Sequence, residues 1–224
     1  MCGISGWLLK PNQQRDSAHL RAMAEVLAHR GPDDRGYYVE PIRGVALAHN
    51  RLSIIDLSAA GHQPMFSEDG QVAMVYNGEL YNYCELRKEL EAFGHHFHSR
   101  SDSEVVLRSF LQWGASCLER FCGMFALAFW SASDGKLLLA RDALGMKPLY
   151  YTALPGAQGI VFASEVKAFL ALPDFTARLN RAALHQFLEF GYCFDQQITV
   201  LDGVYKLPPG HFLEVKDGVA TQPQ

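Results

Sequence analysis

Residues Met1 to Leu9 read MCGISGWLL. Gly3 to Leu9 form a largely apolar run of strand length, so the chain is expected to open on a β-strand. Directly in front of that strand stands Cys2. Chain termini are usually mobile and an exposed thiol oxidises, so this is a poor place for a structural cysteine. It suits a nucleophile better. Once Met1 is removed, the free α-amine of Cys2, with a pKa of roughly 7.7–8.0, can take the thiol proton directly or through a water, with no separate histidine. Gly3 leaves the approach uncrowded. The plainer alternative is a cysteine placed by chance and buried.

Working outward, SAHLRAMAEVLAHR places Leu20, Met23, Ala24 and Leu27 on one face of an amphipathic helix, stopped by Gly31-Pro32. GVALAHNRLSII is apolar and extended, with Leu47, His49, Arg51 and Ser53 on one parity. QVAMVYN predicts a further strand, ending at the turn-prone Asn77-Gly78. NYCELRKELEAFG and DSEVVLRSFLQWG read as helices closed by Gly94 and Gly114. GMFALAFWSASDGKLLLARD predicts a hairpin about Asp134-Gly135, and LYYTA with GIVFAS a second. EVKAFLAL and RAALHQFLEF read as short helices. VYKLPPGHFLEVKDGVATQPQ predicts one strand pair and then a polar end, so residues 217–224 are expected to be a linker or a frayed terminus. Roughly ten strands and about five helices, with several hairpins, suit antiparallel sheets covered by helices. The expected class is an α+β layered domain rather than a doubly wound parallel sheet.

Bulk properties narrow the function. The 224 residues are 49% hydrophobic and 20% charged, enough apolar side chain for a real core. A formal net charge of -4 lacks the basic footprint of a nucleic-acid binder. No apolar run reaches about 18 residues and no signal-peptide pattern opens the chain, so the cytoplasm is the expected location and no membrane the expected partner. The five cysteines (Cys2, Cys84, Cys117, Cys122, Cys193) are scattered, odd in number and without a CxxC pair, which argues against a disulfide framework and a zinc site. The histidines of GHHFHSRSD (His95, His96, His98) have no matching cysteine or acidic cluster and are expected on a loop, so no metal is expected. No GxxxxGK[ST] or GxGxxG nucleotide signature occurs.

A thiol that attacks an amide carbonyl needs donors for the oxyanion. VYNGELYN supplies two candidates: the Asn77 side-chain amide at a strand end and the Gly78 backbone N–H. Alone, Asn-Gly is simply a turn signal. Arg51 lies in an apolar stretch, where an unpaired guanidinium is costly, and suits a bidentate grip on a carboxylate; an internal salt bridge is the plainer reading. Asp102 and Glu79 could hold an ammonium, although Asp102 also fits an N-cap and Glu79 a solvated surface. HRGPD, GHQPM and DALGMK read as turns with no chemistry of their own.

Taken together, MCGISGWL, HRGPDDRG, NRLSIIDLS, GHQPM, VYNGELYN, SDSEVVL and RDALGMKPLYY closely resemble the glutaminase domain of glutamine-dependent asparagine synthetases. These are class II glutamine amidotransferases of the N-terminal-nucleophile hydrolase superfamily. The resemblance runs from residue 2 to about residue 216, in the family's order, which makes 1–216 the expected domain. It implies a four-layer αββα sandwich of two antiparallel sheets, with Cys2 as nucleophile and Asn77 and Gly78 as the oxyanion hole. It also implies that Arg51 binds the glutamine α-carboxylate, Glu79 and Asp102 bind the α-ammonium, and the strand backbone from Arg51 through Leu52, Ser53, Ile54 and Ile55 lines the pocket. Ser103 stands where many relatives carry Thr. The implied reaction is hydrolysis of glutamine to glutamate and ammonia through a Cys2 thioester, with no metal or organic cofactor.

In the family an ATP-dependent synthetase domain, using ATP and magnesium and marked by an SGGxDS-type loop, receives the ammonia. No such loop occurs in these 224 residues, so the expected partners are glutamine and a synthetase domain or subunit, and a homodimer is left open. The competing expectations are a catalytically latent glutamine-binding or assembly module, an amidotransferase with another acceptor, and an N-terminal-nucleophile amidase for another substrate.

Overall fold

A computed structural model describes residues 1–224, the side chain of Ala157 excepted. In chain order its strands and helices are β1 (Gly3–Leu9), α1 (Ser17–Val26), β2 (Asp34–Glu40), β3 (Val45–Arg51), β4 (Met65–Phe66), β5 (Val72–Leu80), α2 (Tyr83–Ala92), α3 (Asp102–Trp113), β6 (Gly123–Ser131) and β7 (Lys136–Arg141). There follow β8 (Tyr150–Ala153), β9 (Gly159–Ala163), α4 (Arg181–Phe190), β10 (Val204–Lys206), β11 (Phe212–Lys216) and β12 (Val219–Ala220). The strands make two 6-stranded sheets, ordered β10-β8-β9-β1-β3-β2 and β12-β11-β7-β6-β5-β4. Every neighbouring pair is antiparallel.

The sheets pack face to face. Ile4, Leu8 and Leu47 of the first sheet meet Val75, Ala128 and Leu139 of the second in a shared buried core. The alternate residues of the same strands face outward and are covered again. Trp7 and Ala46 pack with Leu20, Met23 and Leu27 beside α1, and Tyr76, Leu127 and Phe129 pack with Leu86, Leu90 and Val105 from α2 and α3. Helix, sheet, sheet and helix therefore make four layers, as expected. Strands covered on both faces read as continuous apolar runs rather than alternating ones. That is why GISGWLL and GMFALAFW show little period-2 polarity.

Several local expectations change. β5 runs on through Asn77-Gly78 to Leu80, held there by pairing with β6, and β10 and β11, expected as a strand pair, join different sheets. The extended run through NRLSII ends as a strand at Arg51. Its guanidinium donates to the carbonyl oxygens of Ser58 (2.8 Å) and Asp56, so residues 52–58 curl round it instead of continuing the ladder. EVKAFLAL forms a 3-10 helix at Val166–Ala171, too short for an α-helix and held by Ala168 and Phe169 buried beneath it. Residues 217–224, expected to fray or lead into a linker, turn at Asp217-Gly218 and return along β11. Phe212 and Gln224 exchange both backbone hydrogen bonds, 3.0 and 2.8 Å long. The polar composition reflects a sheet edge in water. No described helix is long and apolar enough to cross a membrane.

Candidate active site

One pocket gathers Cys2, Arg51, Leu52, Ser53, Ile54, Ile55, Asn77, Gly78, Glu79 and Asp102. It lies where β1 begins, β3 ends and β5 nears its end. Cys2 immediately precedes β1, and its Sγ is held against Leu52: the Leu52 N–H donates to sulfur at 3.4 Å and the thiol lies 3.7 Å from the Leu52 carbonyl. Burial pushes the thiol pKa up, opposed by the Leu52 hydrogen bond and by the positive charges of the N-terminus, Arg51 and Lys147. Behind the residue, Arg30 Nε donates to the Cys2 carbonyl at 2.9 Å while its Nη1 donates to Glu165 at 2.7 Å. Burial alone would raise the Glu165 carboxyl, but hydrogen bonds from Arg30, His29 and Lys167 bring it down to about 2, so this anchor stays ionised.

The edge of β5 determines which donors face the pocket. Successive residues of a strand turn their backbone groups to opposite sides. The carbonyl of Gln71 and the N–H of Tyr81 bond to the chain flanking β6, so the even residues from Val72 to Leu80 face the other way. On that side Val72 bonds with Ser67, and Met74 pairs with Met65. Tyr76 donates its N–H to Gln63 Oε1 at 2.7 Å and accepts at its carbonyl from His49 Nε2 at 3.1 Å. Leu80 donates to Asp102 Oδ2 at 2.9 Å. Gly78, midway between them, keeps an N–H with no partner among the described residues.

A side chain at Gly78 would obstruct this arrangement, since a Cβ would stand 2.6 Å from the Met124 carbonyl and 2.6 Å from the Tyr76 ring. Beside it, Asn77 Nδ2 is buried and unpartnered. Two N–H donors therefore stand free in one pocket with the thiol. An unsatisfied buried donor costs about 1–3 kcal/mol, a cost that a bound oxygen acceptor would relieve.

The pocket carries charges of both signs. Arg51 supplies positive charge, its guanidinium fitting over Gly61, where a Cβ would come within 2.1 Å of Nη2. Glu79 and Asp102 supply negative charge. The N-cap of α3 is Ser101, whose hydroxyl accepts from Ser103 N. That leaves the Asp102 carboxylate free to accept from Tyr76 OH at 3.0 Å and from Leu80 N. Burial raises the Asp102 pKa and Glu79 adds to the rise, while those two donors hold it back. His49, fully buried, is pushed by desolvation down to about 4, so at neutral pH it is uncharged and donates through Nε2 to Tyr76.

A family model described as "Glutamine amidotransferase domain" matches residues 1–224. The chain belongs to this glutamine amidotransferase family. The amidotransferase chain is 38% identical over 223 residues to "Asparagine synthetase [glutamine-hydrolyzing] 3" of Bacillus subtilis (strain 168), covering 98% of itself and 36% of the relative. It is 36% identical over 226 residues to "Amidase chry2" of Gibberella zeae, covering 95% of itself and 32% of the relative. It thus spans about a third of the length of these curated relatives.

Among solved structures, the allosteric regulatory enzyme of purine biosynthesis superposes with a TM-score of 0.70 at 19% identity, over 98% of this chain and 48% of that one. The glutamine phosphoribosylpyrophosphate amidotransferase from B. subtilis gives 0.66 at 17% identity, over 99% and 48%. At these identities the likeness carries the fold alone, the four-layer arrangement of two antiparallel sheets between helices.

In and behind the pocket stand residues that sequence reading passed over. Gln63, from GHQPM, bridges Tyr76 N and Ser103 Oγ (3.3 Å). Arg30, from HRGPD, anchors Cys2, and Lys147, from DALGMK, lines the pocket wall. All three sit in stretches whose glycine and proline signal turns, and the turn signal masked them. The histidines of GHHFHSRSD stand apart from the pocket: His95 bonds Gln112 at 2.8 Å and His98 lies 3.7 Å from Glu68. Among the described residues no group of three His, Cys, Asp or Glu converges as a metal cage.

Proposed function

We propose that this chain hydrolyses glutamine to glutamate and ammonia, as the glutaminase half of an amidotransferase whose ammonia serves an ATP-dependent synthetase domain or subunit that makes asparagine. The observation that carries the reading is one pocket holding a thiol, two unpartnered N–H donors and side chains of both charges. Arg51 would take the α-carboxylate of glutamine, and Glu79 with Asp102 the α-ammonium. A free amino acid then lies stretched with its γ-amide toward Cys2.

Loss of Met1, which also lines the pocket, frees the Cys2 α-amine. That amine takes the thiol proton as Sγ bonds to the amide carbon. Asn77 Nδ2 and Gly78 N–H receive the oxyanion, an interaction formed as charge develops. Collapse breaks the C–N bond, the α-ammonium returns its proton to the leaving nitrogen, and ammonia departs. Water, deprotonated by the same amine, then cleaves the thioester to glutamate and restores the thiol. This half-reaction needs neither ATP nor magnesium, which belong to the acceptor chemistry. The reducing cytoplasm is the proposed setting, in keeping with five free cysteines.

The test is glutamate release from glutamine by the purified chain, its N-terminus read by mass spectrometry, beside Cys2→Ala. Release by the processed chain and none by the variant supports the reading. A processed chain that binds glutamine and releases none would leave a latent binding module. The relatives named amidases favour a second reading, an acceptor other than aspartate. It is separated by assaying the chain with each candidate synthetase partner.

A further inference from the structure

Lys147 is only 7% exposed, lines the same pocket as Cys2, and among the described residues its ammonium has no hydrogen-bond or ion-pair partner. A buried cation without a counter-charge is expensive, and here it is held in place deliberately. Asp142 accepts from the backbone N–H groups of Leu144, Met146 and Lys147 at 3.1, 2.9 and 3.0 Å. Arg141 Nε donates to the Lys147 carbonyl at 2.8 Å. The DALGMK loop is thus a rigid mount that carries one lysine into the wall of the site.

Of the other cations near Cys2, Arg30 is paired with Glu165, while Arg51 donates to two loop carbonyls that fix its position. The groups facing Cys2 from β5 and α3 are Tyr76, Glu79 and Asp102, and the last two oppose a negative charge on sulfur. Cys2 is therefore a half-buried thiol that shares its pocket with two carboxyl groups and with a lysine that has no hydrogen-bond or ion-pair partner among the described residues.

We propose that Lys147 is a positioning residue of this site, whose ammonium biases Cys2 toward its proton-poor, nucleophilic form. Its positive charge stabilises the thiolate and disfavours a proton on the neighbouring α-amine, so both ionisations move in the direction attack requires. The proposal deepens the glutaminase reading and supplies an electrostatic partner for its nucleophile.

The experiment is alkylation of the Met1-processed chain by iodoacetamide across a pH series, read at the Cys2 peptide by mass spectrometry. Exposed Cys84 and Cys122 serve as internal references. Lys147→Met removes the charge at similar volume, Lys147→Gln keeps polarity, and Lys147→Arg restores charge. We expect the Cys2 midpoint to rise by about one pH unit in the Met and Gln variants and to return in Arg, with Cys84 and Cys122 unmoved. We also expect Lys147→Met to melt no lower than the parent.

A Cys2 midpoint that does not move in either neutral variant overturns the proposal. So does a raised KM for glutamine with an unmoved midpoint, which would make Lys147 a substrate carboxylate ligand. Alkylation needs no glutamine, so a chain that releases no glutamate but shows the shifted midpoint counts against the glutaminase reading and for this one.

Discussion

Asn77→Ala should separate catalysis from stability, because the Asn77 Nδ2 group is buried without a partner. Truncating a buried side chain ordinarily removes hydrogen bonds, each worth about 0.5–1.5 kcal/mol net. Here the donor makes none in the free protein, so its removal forfeits only packing atoms and relieves a desolvated N–H. Those effects oppose one another, and the melting temperature should move by no more than a few degrees. The transition state is different. An oxyanion that forms beside Nδ2 and the Gly78 N–H loses one of two donors, worth about 2.7–4 kcal/mol and so about 10²–10³ in kcat. KM should change little, since a neutral carbonyl draws weakly on the same donor.

The assay is steady-state glutamate release across glutamine concentrations, with thermal unfolding of the same preparations. A kcat within about threefold of the parent would refute the assignment of Nδ2 to the oxyanion, whatever the melting temperature. A large drop in melting temperature would mean that the side chain has a structural partner and that its apparent idleness was misread.

Two further outcomes follow from the same geometry. Asp102→Ala should raise KM for glutamine more than it lowers kcat, since an ammonium contact is made equally in ground and transition states; an unchanged KM in steady-state assays would remove that role. His49 has a depressed folded-state pKa, about 4 against an ordinary 6.5. Its contribution to stability is therefore whole above pH 6.5 and is lost as pH falls through about 4, which denaturation midpoints measured along that series should show. A His49 ring that titrates near 6.5 by NMR would contradict its burial against Tyr76.

The elements that could be read locally were those whose burial is symmetric. GISGWLL and GMFALAFW are apolar on both parities because a core covers each face of their sheet, so their existence was plain even where alternation was absent. The end of β3 was not legible. Nothing in NRLSII stops a strand; the stop comes from the Arg51 guanidinium finding carbonyl oxygens at Ser58 and Asp56 once the loop has closed. The return of residues 217–224 along β11 was hidden similarly, because an edge strand in water keeps the polar composition of a tail.

The site divides along the same line. The sequence alone determined that a cysteine stands at position 2, that an Asn-Gly follows an apolar run, and that Arg51, Glu79 and Asp102 are available, because residue types and short spacings are local properties. Only the tertiary structure decided which backbone donor stays free. Gly78 N–H is unpartnered because Gln63, from one loop, and Asp102, from the start of α3, occupy the amides on either side of it. Likewise Lys147 shares a pocket with Cys2 from about two thirds of the chain away. A hydrogen bond is satisfied or left open by whatever the fold brings within about 3 Å, and no window of sequence contains that neighbour.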